Sequence, residues 1–375
     1  MLAQMIRDNL YTIVTGRFRP GVTDLNLLGN LALMRLDRRT VTPSPNKYPP
    51  LTGQQKRDIQ AAYRPYIRFL SSRYHRLYTG ASGGHFDPAY VPEDLFFIDI
   101  DRSLSDREES RYLDNKCYYY RLLSNVKQPA LVVMRNGKCW LDKDLKLISR
   151  ERVKELVAAQ PEVVVKRAVC SEGGAGVSFL SGASIGEDFE ALMKTIPCDV
   201  VVQQPVKQHA SFAALNKGSV NTIRLVSVLY PEEVKIYGMI LRIGAGESRV
   251  DNSSQGGVIT GLTEDGALGS FGAMHDGRIV KTHPDHGYAF EGLKVEHVDR
   301  AMELVREAHS FLGHFRIAAW DVTVDEAGEA VLIEVNLSLG GINDMQVCTG
   351  PLFGEDTGRI LAEVYGNRRK LNTLF

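Results

Sequence analysis

Asp321 and Glu334 are two carboxylates spaced to meet across a hairpin. The stretch from 317 to 341 reads as two strands about a turn. Residues 317–324 and 330–336 both alternate, and residues 325–329 between them carry turn chemistry. With 326–329 as a four-residue loop, Asp325 faces Ala330 and Asp321 faces Glu334. Asn336 then stands one step further along the same face. Carboxylates opposed in this way lie within about 5 Å and repel unless a cation lies between them. Oxygen ligands without His or Cys suit Mg2+. The alternative is two solvated acids on an exposed face, and the apolar neighbours Trp320, Val331, Ile333 and Val335 weigh against it.

A second group lies upstream. Lys166 sits in a β-branched run, followed by Gly173, Gly174 and Gly176 and then by a second strand at 177–180. Glycines let backbone N–H groups close on phosphate oxygens, and Lys166 would add a point charge. The loop is neither a Walker A motif nor a dinucleotide fingerprint, and a plain turn is the competing reading. Arg224 and Arg242 lie on strands expected at 219–229 and 234–243. A turn at 231–233 sets Arg242 opposite Thr222, on the face of Arg224. Two guanidiniums there repel, so either an anion sits between them or they form salt bridges within the sheet. The loop at 249–257, with Asp251, Asn252, Gly256 and Gly257, is rich in amides that could also receive an anion. Gly182-Ala-Ser184-Ile-Gly186 matches a nucleophile elbow. Ser184 with Glu187 reads better as a capping box opening a helix through Lys194. His283 and His286 flank an ordinary Pro-Asp turn.

The elements around these groups are mixed. Residues 1–40 read as helical, with Leu27, Leu28, Leu31 and Met34 at helical spacing, and 41–50 is a proline-rich linker. Thr52 and Gln55 form a capping box for a helix that Pro65 kinks or divides. A short apolar strand is expected at 95–100. Helices are expected from Asn115 to about Val126, at 149–160 and at 296–315, with strands at 131–134, 138–141, 162–167 and 199–206. Lys+Arg and Asp+Glu are both 45, so bulk charge points to neither nucleic acid nor membrane, and any anion site is local. Five scattered cysteines (Cys117, Cys139, Cys170, Cys198, Cys348) suit a reducing cytoplasm rather than a disulfide frame or a zinc site. Arg7 and Asp8 interrupt any signal peptide, and the uncharged run 25–34 is too short to span a bilayer. A cytoplasmic protein of two or three domains is expected.

In this order the pieces resemble the ATP-grasp superfamily, over roughly residues 90–350. They are most similar to its sugar-transfer-associated branch, through Phe86-Asp-Pro-Ala-Tyr-Val-Pro-Glu-Asp94, Ser219-Val-Asn-Thr-Ile-Arg224, Val250-Asp-Asn-Ser-Ser-Gln-Gly-Gly257, His283-Pro284, Trp320-Asp321 and Ile333-Glu-Val-Asn336. The resemblance implies ATP and Mg2+ as cofactors. It makes Lys116 and Lys166 the nucleotide-phosphate lysines, and Gly173, Gly174 and Gly176 a lid. Gln203, Gln204 and Val206 become the hinge that meets adenine, with Gln203 where an acid is usual. Asp321, Glu334 and Asn336 become the magnesium ligands, and Asn221, Asp251, Asn252, Gly256, Gly257, Gly340 and Gly341 the substrate contacts. Ala319 stands where D-alanine–D-alanine ligase-like relatives carry an arginine, so Arg242, supported by Arg224, is expected to stabilise the transferred phosphoryl group. The implied fold is α+β / α/β, two subdomains clasping a nucleotide behind a helical N-terminal extension. Expected boundaries are 1–89, 90–161, 162–202 and 203–375. The implied reaction joins a carboxylate to an amine through an acyl phosphate, on a uronic acid or amino acid of a glycan precursor. A phosphotransferase, or a non-catalytic nucleotide-binding partner of a glycan assembly system, is the alternative.

Overall fold

The structure, a computed structural model, describes residues 44–67, 70–105, 110, 113–169, 176–337 and 341–366. The helix expected over 1–40, and Gly173, Gly174 and Gly340, lie outside the described residues.

Valine-rich runs too short for helices become buried strands. Strands β1 (Leu131–Asn136), β2 (Cys139–Asp142), β3 (Leu147–Ile148), β4 (Glu162–Arg167), β5 (Val177–Ser181) and β6 (Val200–Gln203) form a six-stranded antiparallel sheet in the order β3-β2-β1-β6-β4-β5. Helices α4 (Arg150–Ala158) and α5 (Ile185–Thr195) supply Val153, Val157, Phe189 and Met193 to a core with Val133, Val163, Val165 and Val202. The division expected at 162 falls inside this sheet, because β6 pairs with both β1 and β4.

A seven-stranded antiparallel sheet follows, from β7 (Thr222–Leu229), β8 (Val234–Ile243), β9 (Val258–Leu262), β10 (Leu268–Met274), β11 (Ile279–Val280), β12 (Ile317–Val324) and β13 (Ala330–Asn336), ordered β11-β10-β9-β8-β7-β12-β13. Every residue of β12 is buried, so both faces of the sheet are covered. Helix α6 (Val298–Ser310) packs Ala301, Met302, Val305 and Ala308 against Trp320, Val322 and Leu225 on one face.

The other face is shared. One half meets helices α1 (Gly53–Tyr63), α7 (Asn343–Thr349) and α8 (Thr357–Gly366), which bury Ile59, Tyr63, Met345 and Ile360 against Val228, Ile240 and Ala319. The other half is left to a cleft beneath the six-stranded sheet. Helix α1 is therefore part of this core.

Local rules account for most helix ends. Thr52 and Gln55 make the reciprocal capping box, α1 ends before Pro65, and α2 (Arg73–Ala81) restarts beyond it. Two readings fail. Residues 95–100 are helical, within a run built from Glu93–Leu95, Phe96–Ile100 and Asp101–Leu104. A short apolar run has no period to separate strand from helix, and Leu95, Phe96, Ile100 and Leu104 fill the core at helical spacing. Ser184 makes no cap bond; its hydroxyl donates to Asp188 Oδ2 at 2.7 Å.

Candidate active site

A cleft of about 970 Å³ separates the two sheets. Its floor is a row of charges across β8, β7, β12 and β13. Asp321 pairs with Arg224 on one side and Glu334 on the other. The Asp321–Glu334 register was expected, but the route to it differs. The turn closes one residue earlier, with Val324 opposite Ala330, and a bulge between Asp321 and Val322 restores the shift. Arg242 stands opposite Thr222 as expected.

Two puzzles of repulsion resolve each other here. Arg224 donates from Nε to Asp321 Oδ1 at 2.8 Å and from Nη2 to Oδ2 at 2.7 Å, and Arg242 donates from Nη1 to Oδ2 at 3.0 Å. The anion between the arginines is Asp321 itself, and the cations beside Asp321 are the arginines. Burial alone would raise the Asp321 carboxyl, but Arg224 and then Arg242 outweigh it and hold it down to about 2. Arg242 is likewise buried, and Asp321 with Asp251 keeps it charged.

Lys116 opens helix α3 (Lys116–Leu122), which Asn115 caps, and its backbone N–H bonds to Ala168 beyond β4. Its ammonium reaches Glu334 Oε1 at 2.7 Å. Lys166 extends from β4 into the same cleft and makes no ion pair with any described residue. Burial first, then the Lys116 charge against the pull of Glu334, lowers it to about 8. Such a lysine stands ready for an anion.

The donor set Asp321, Glu334 and Asn336 is all oxygen and suits a hard divalent cation. Asn336 Nδ2 is out of solvent with no hydrogen-bond partner among the described residues. Asn336 can offer its carbonyl oxygen directly, whereas Glu334 must first release Lys116 and Asp321 its arginines. The set fits Mg2+ on those terms.

The setting of Gln203 fixes one more group. Tyr120 gives its only hydroxyl proton to the Pro129 carbonyl at 2.9 Å, so toward Gln203 it can only accept. Gln203 therefore turns Nε2 to Tyr120, at 2.6 Å, and leaves Oε1 as an acceptor. Gln204 and Val206 line the same wall.

The expected substrate contacts divide. Asp251, Asn252 and Gly341 line the cleft. Asp251 accepts from the Thr222 N–H at 2.9 Å and from its hydroxyl, and burial raises its carboxyl. Asn221 does not line it. It is fully buried, donating to the Phe212 and Asn216 carbonyls at 2.9 and 3.0 Å and accepting from Gly244 N–H at 3.2 Å, so it is a framework residue. Gly256 and Gly257 shape the loop instead. A Cβ on Gly257 would stand 2.5 Å from the Asp251 carbonyl oxygen. Gly176, with φ 86°, closes the β4–β5 connection through its carbonyl and the Arg167 N–H. Sequence reading passed over Tyr120, His275 and Asp344, the last two on the cleft wall. None of the three belongs to a local motif; only the fold brings them in.

No curated protein is matched by the chain. Among solved structures it is similar to an ADP complex of N5-carboxyaminoimidazole ribonucleotide synthetase, at 10% identity and TM-score 0.40, covering 68% of this chain and 53% of that one. It is similar to the VanG D-Ala:D-Ser ligase from Enterococcus faecalis, at 12% identity and TM-score 0.40, covering 70% and 63%. It is also similar to the D-alanine–D-alanine ligase from Bacillus anthracis complexed with ATP, at 12% identity and TM-score 0.41, covering 72% and 70%. The chain thus spans about half the length of the first of these. A family profile described as Sugar-transfer associated ATP-grasp matches residues 97–355, well over half of the sequence, and the chain belongs to that family.

Proposed function

We propose that the chain is an ATP-dependent carboxylate–amine ligase. It forms an amide through an acyl phosphate, on a uronic-acid or amino-acid group of a glycan or other small-molecule precursor. The observation that carries this reading is Lys166, a desolvated lysine without an ion pair among the described residues, across the cleft from Asp321, Glu334 and Asn336.

Lys166 and Lys116 neutralise nucleotide phosphates, Lys116 by leaving Glu334. Gln203 Oε1 accepts the adenine amino group. Glu334 and Asn336, joined by Asp321, would hold Mg2+, which when bound neutralises phosphate oxygens. Exchange at Asp321 frees the Arg224 and Arg242 guanidiniums for the transferring phosphoryl group. A substrate carboxylate oxygen bonds to the γ-phosphorus as the bond to ADP breaks. An amine nitrogen then bonds to the acyl carbon, and phosphate departs. Positioning and charge do most of this work, which agrees with a cleft rich in cations.

The test is incubation with Mg·ATP, pooled uronic and amino acids, and amines, read by mass spectrometry. The expected result is ADP release with a product heavier by the amine less water. A stable phosphorylated product, unchanged when amine is added, would make the chain a phosphotransferase instead.

A further inference from the structure

Most of the carboxylates lining the cleft are engaged. Asp321 is held by Arg224 and Arg242, Glu334 by Lys116, Asp251 by Thr222, and Asp114 accepts from the Leu337 N–H at 3.4 Å. Asp344 lines the same cleft and makes no hydrogen bond or ion pair with any described residue. Its side chain is partly buried. The ionisable groups around it are His275, Arg224 and Arg242.

Its position is built with care. Gly238 lies at a bulge of β8 with φ 38°, and a Cβ there would stand 2.4 Å from Met345 Sδ. That missing atom lets α7 sit directly on β8, the strand of Arg242. The N-terminal segment then fastens α7. Tyr78 donates to Asn343 Oδ1 at 2.6 Å, Asn343 donates to Glu93, and Gln346 exchanges hydrogen bonds with both Val91 backbone groups at 2.8 Å.

We propose that Asp344 is the acceptor-side catalytic residue: it binds the incoming amine as an ammonium ion and takes the proton that must leave before nitrogen can attack. This rests on the ligase reading above. The amine is then a basic primary amine, charged at neutral pH. Burial raises the Asp344 carboxyl, with His275 and the two arginines opposing, so it accepts a proton more readily than a solvated aspartate. The acid and the amine are also sorted by charge. The acyl phosphate is drawn to the arginines, and the ammonium to Asp344. One ammonium proton moves to the Asp344 carboxylate. The freed lone pair forms the C–N bond, the acyl carbon–oxygen bond to phosphorus breaks, and the second N–H proton leaves with the phosphate.

Hydroxylamine separates the two halves, because it is uncharged at neutral pH and traps acyl phosphates as hydroxamates. Wild type, Asp344→Asn and Asp344→Glu would be given Mg·ATP and glucuronic acid, galacturonic acid or amino acids. The nucleophile would be hydroxylamine or an amine from ethanolamine, glucosamine and lysine. Asp344→Asn is expected to lower amide formation about a hundredfold while hydroxamate falls little, and Asp344→Glu to recover part of the amide. Equal loss of both products in both variants would place Asp344 with the framework or the acyl phosphate and overturn the proposal. Unchanged amide formation would overturn it too. Absence of hydroxamate from wild type with every acid would instead refute the ligase reading, and this inference with it.

Discussion

Asp321 has partners on two neighbouring strands, and its charge state follows from them. Its carboxyl is held near 2, below the ordinary 3.8, so the pairing stabilises the fold above about pH 4 and is lost as pH falls through about 2. The difference is worth about 2 kcal/mol at neutral pH. Asp321→Asn should therefore flatten the acid limb of the unfolding curve between those values, read by urea denaturation at stepped pH; an unchanged limb would contradict the pairing. Arg242→Ala should lower turnover about a hundredfold with little change in ATP affinity, since its proposed partner is charge developing in the transition state. Wild-type turnover would sink that role. Loss of ATP affinity at unchanged turnover would make Arg242 a ground-state binding group. Lys166 binds phosphate only when protonated and sits at about 8 in the free protein. ATP affinity, followed by calorimetry, should fall as pH rises through about 8. In Lys166→Arg that fall should vanish, because a guanidinium keeps its charge.

Strands and turns carried most of the legible information, and bulges hid the rest. Alternation gave β12 and β13 their bounds, yet the turn register was one residue off, and only the bulge brought Asp321 opposite Glu334. β7 and β8 repeat the lesson. The pairing of Thr222 with Arg242 was readable, but the slip beyond Leu225 that admits Met345 was not. Repulsion between like charges was also readable on both strands; that each pair would cancel the other needed the β7–β12 pairing, which no local pattern states. The amide that ends β6 shows the same limit. Gln203 was visible as an amide where an acid is usual, but its orientation comes from Tyr120, on a helix far back in the chain. Tyr120→Phe removes the acceptor that fixes that amide. Gln203 could then turn Nε2 toward a purine carbonyl, and preference for ATP over GTP should shrink about tenfold in equilibrium binding. An unchanged preference would mean that Gln203 does not read the base.

At the scale of the molecule, two sheets close on one cleft, and helices α1 and α2 pack on the seven-stranded sheet beside it. The Thr52–Gln55 capping box announced a helix, but not that its Ile59 and Tyr63 would pack with Val228 and Ile240 and beside α7. Long-range packing of this kind leaves no periodic trace in sequence. Among the described residues, no helix is long and apolar enough to cross a membrane. The central claim is that this cleft joins a carboxylate to an amine through an acyl phosphate. The most direct measurement uses a substrate carboxylate labelled with oxygen-18, Mg·ATP and an amine, with the released phosphate read by mass spectrometry. The account predicts one labelled oxygen in the phosphate for each amide formed. Unlabelled phosphate, or label retained in a stable phosphorylated product, would contradict it.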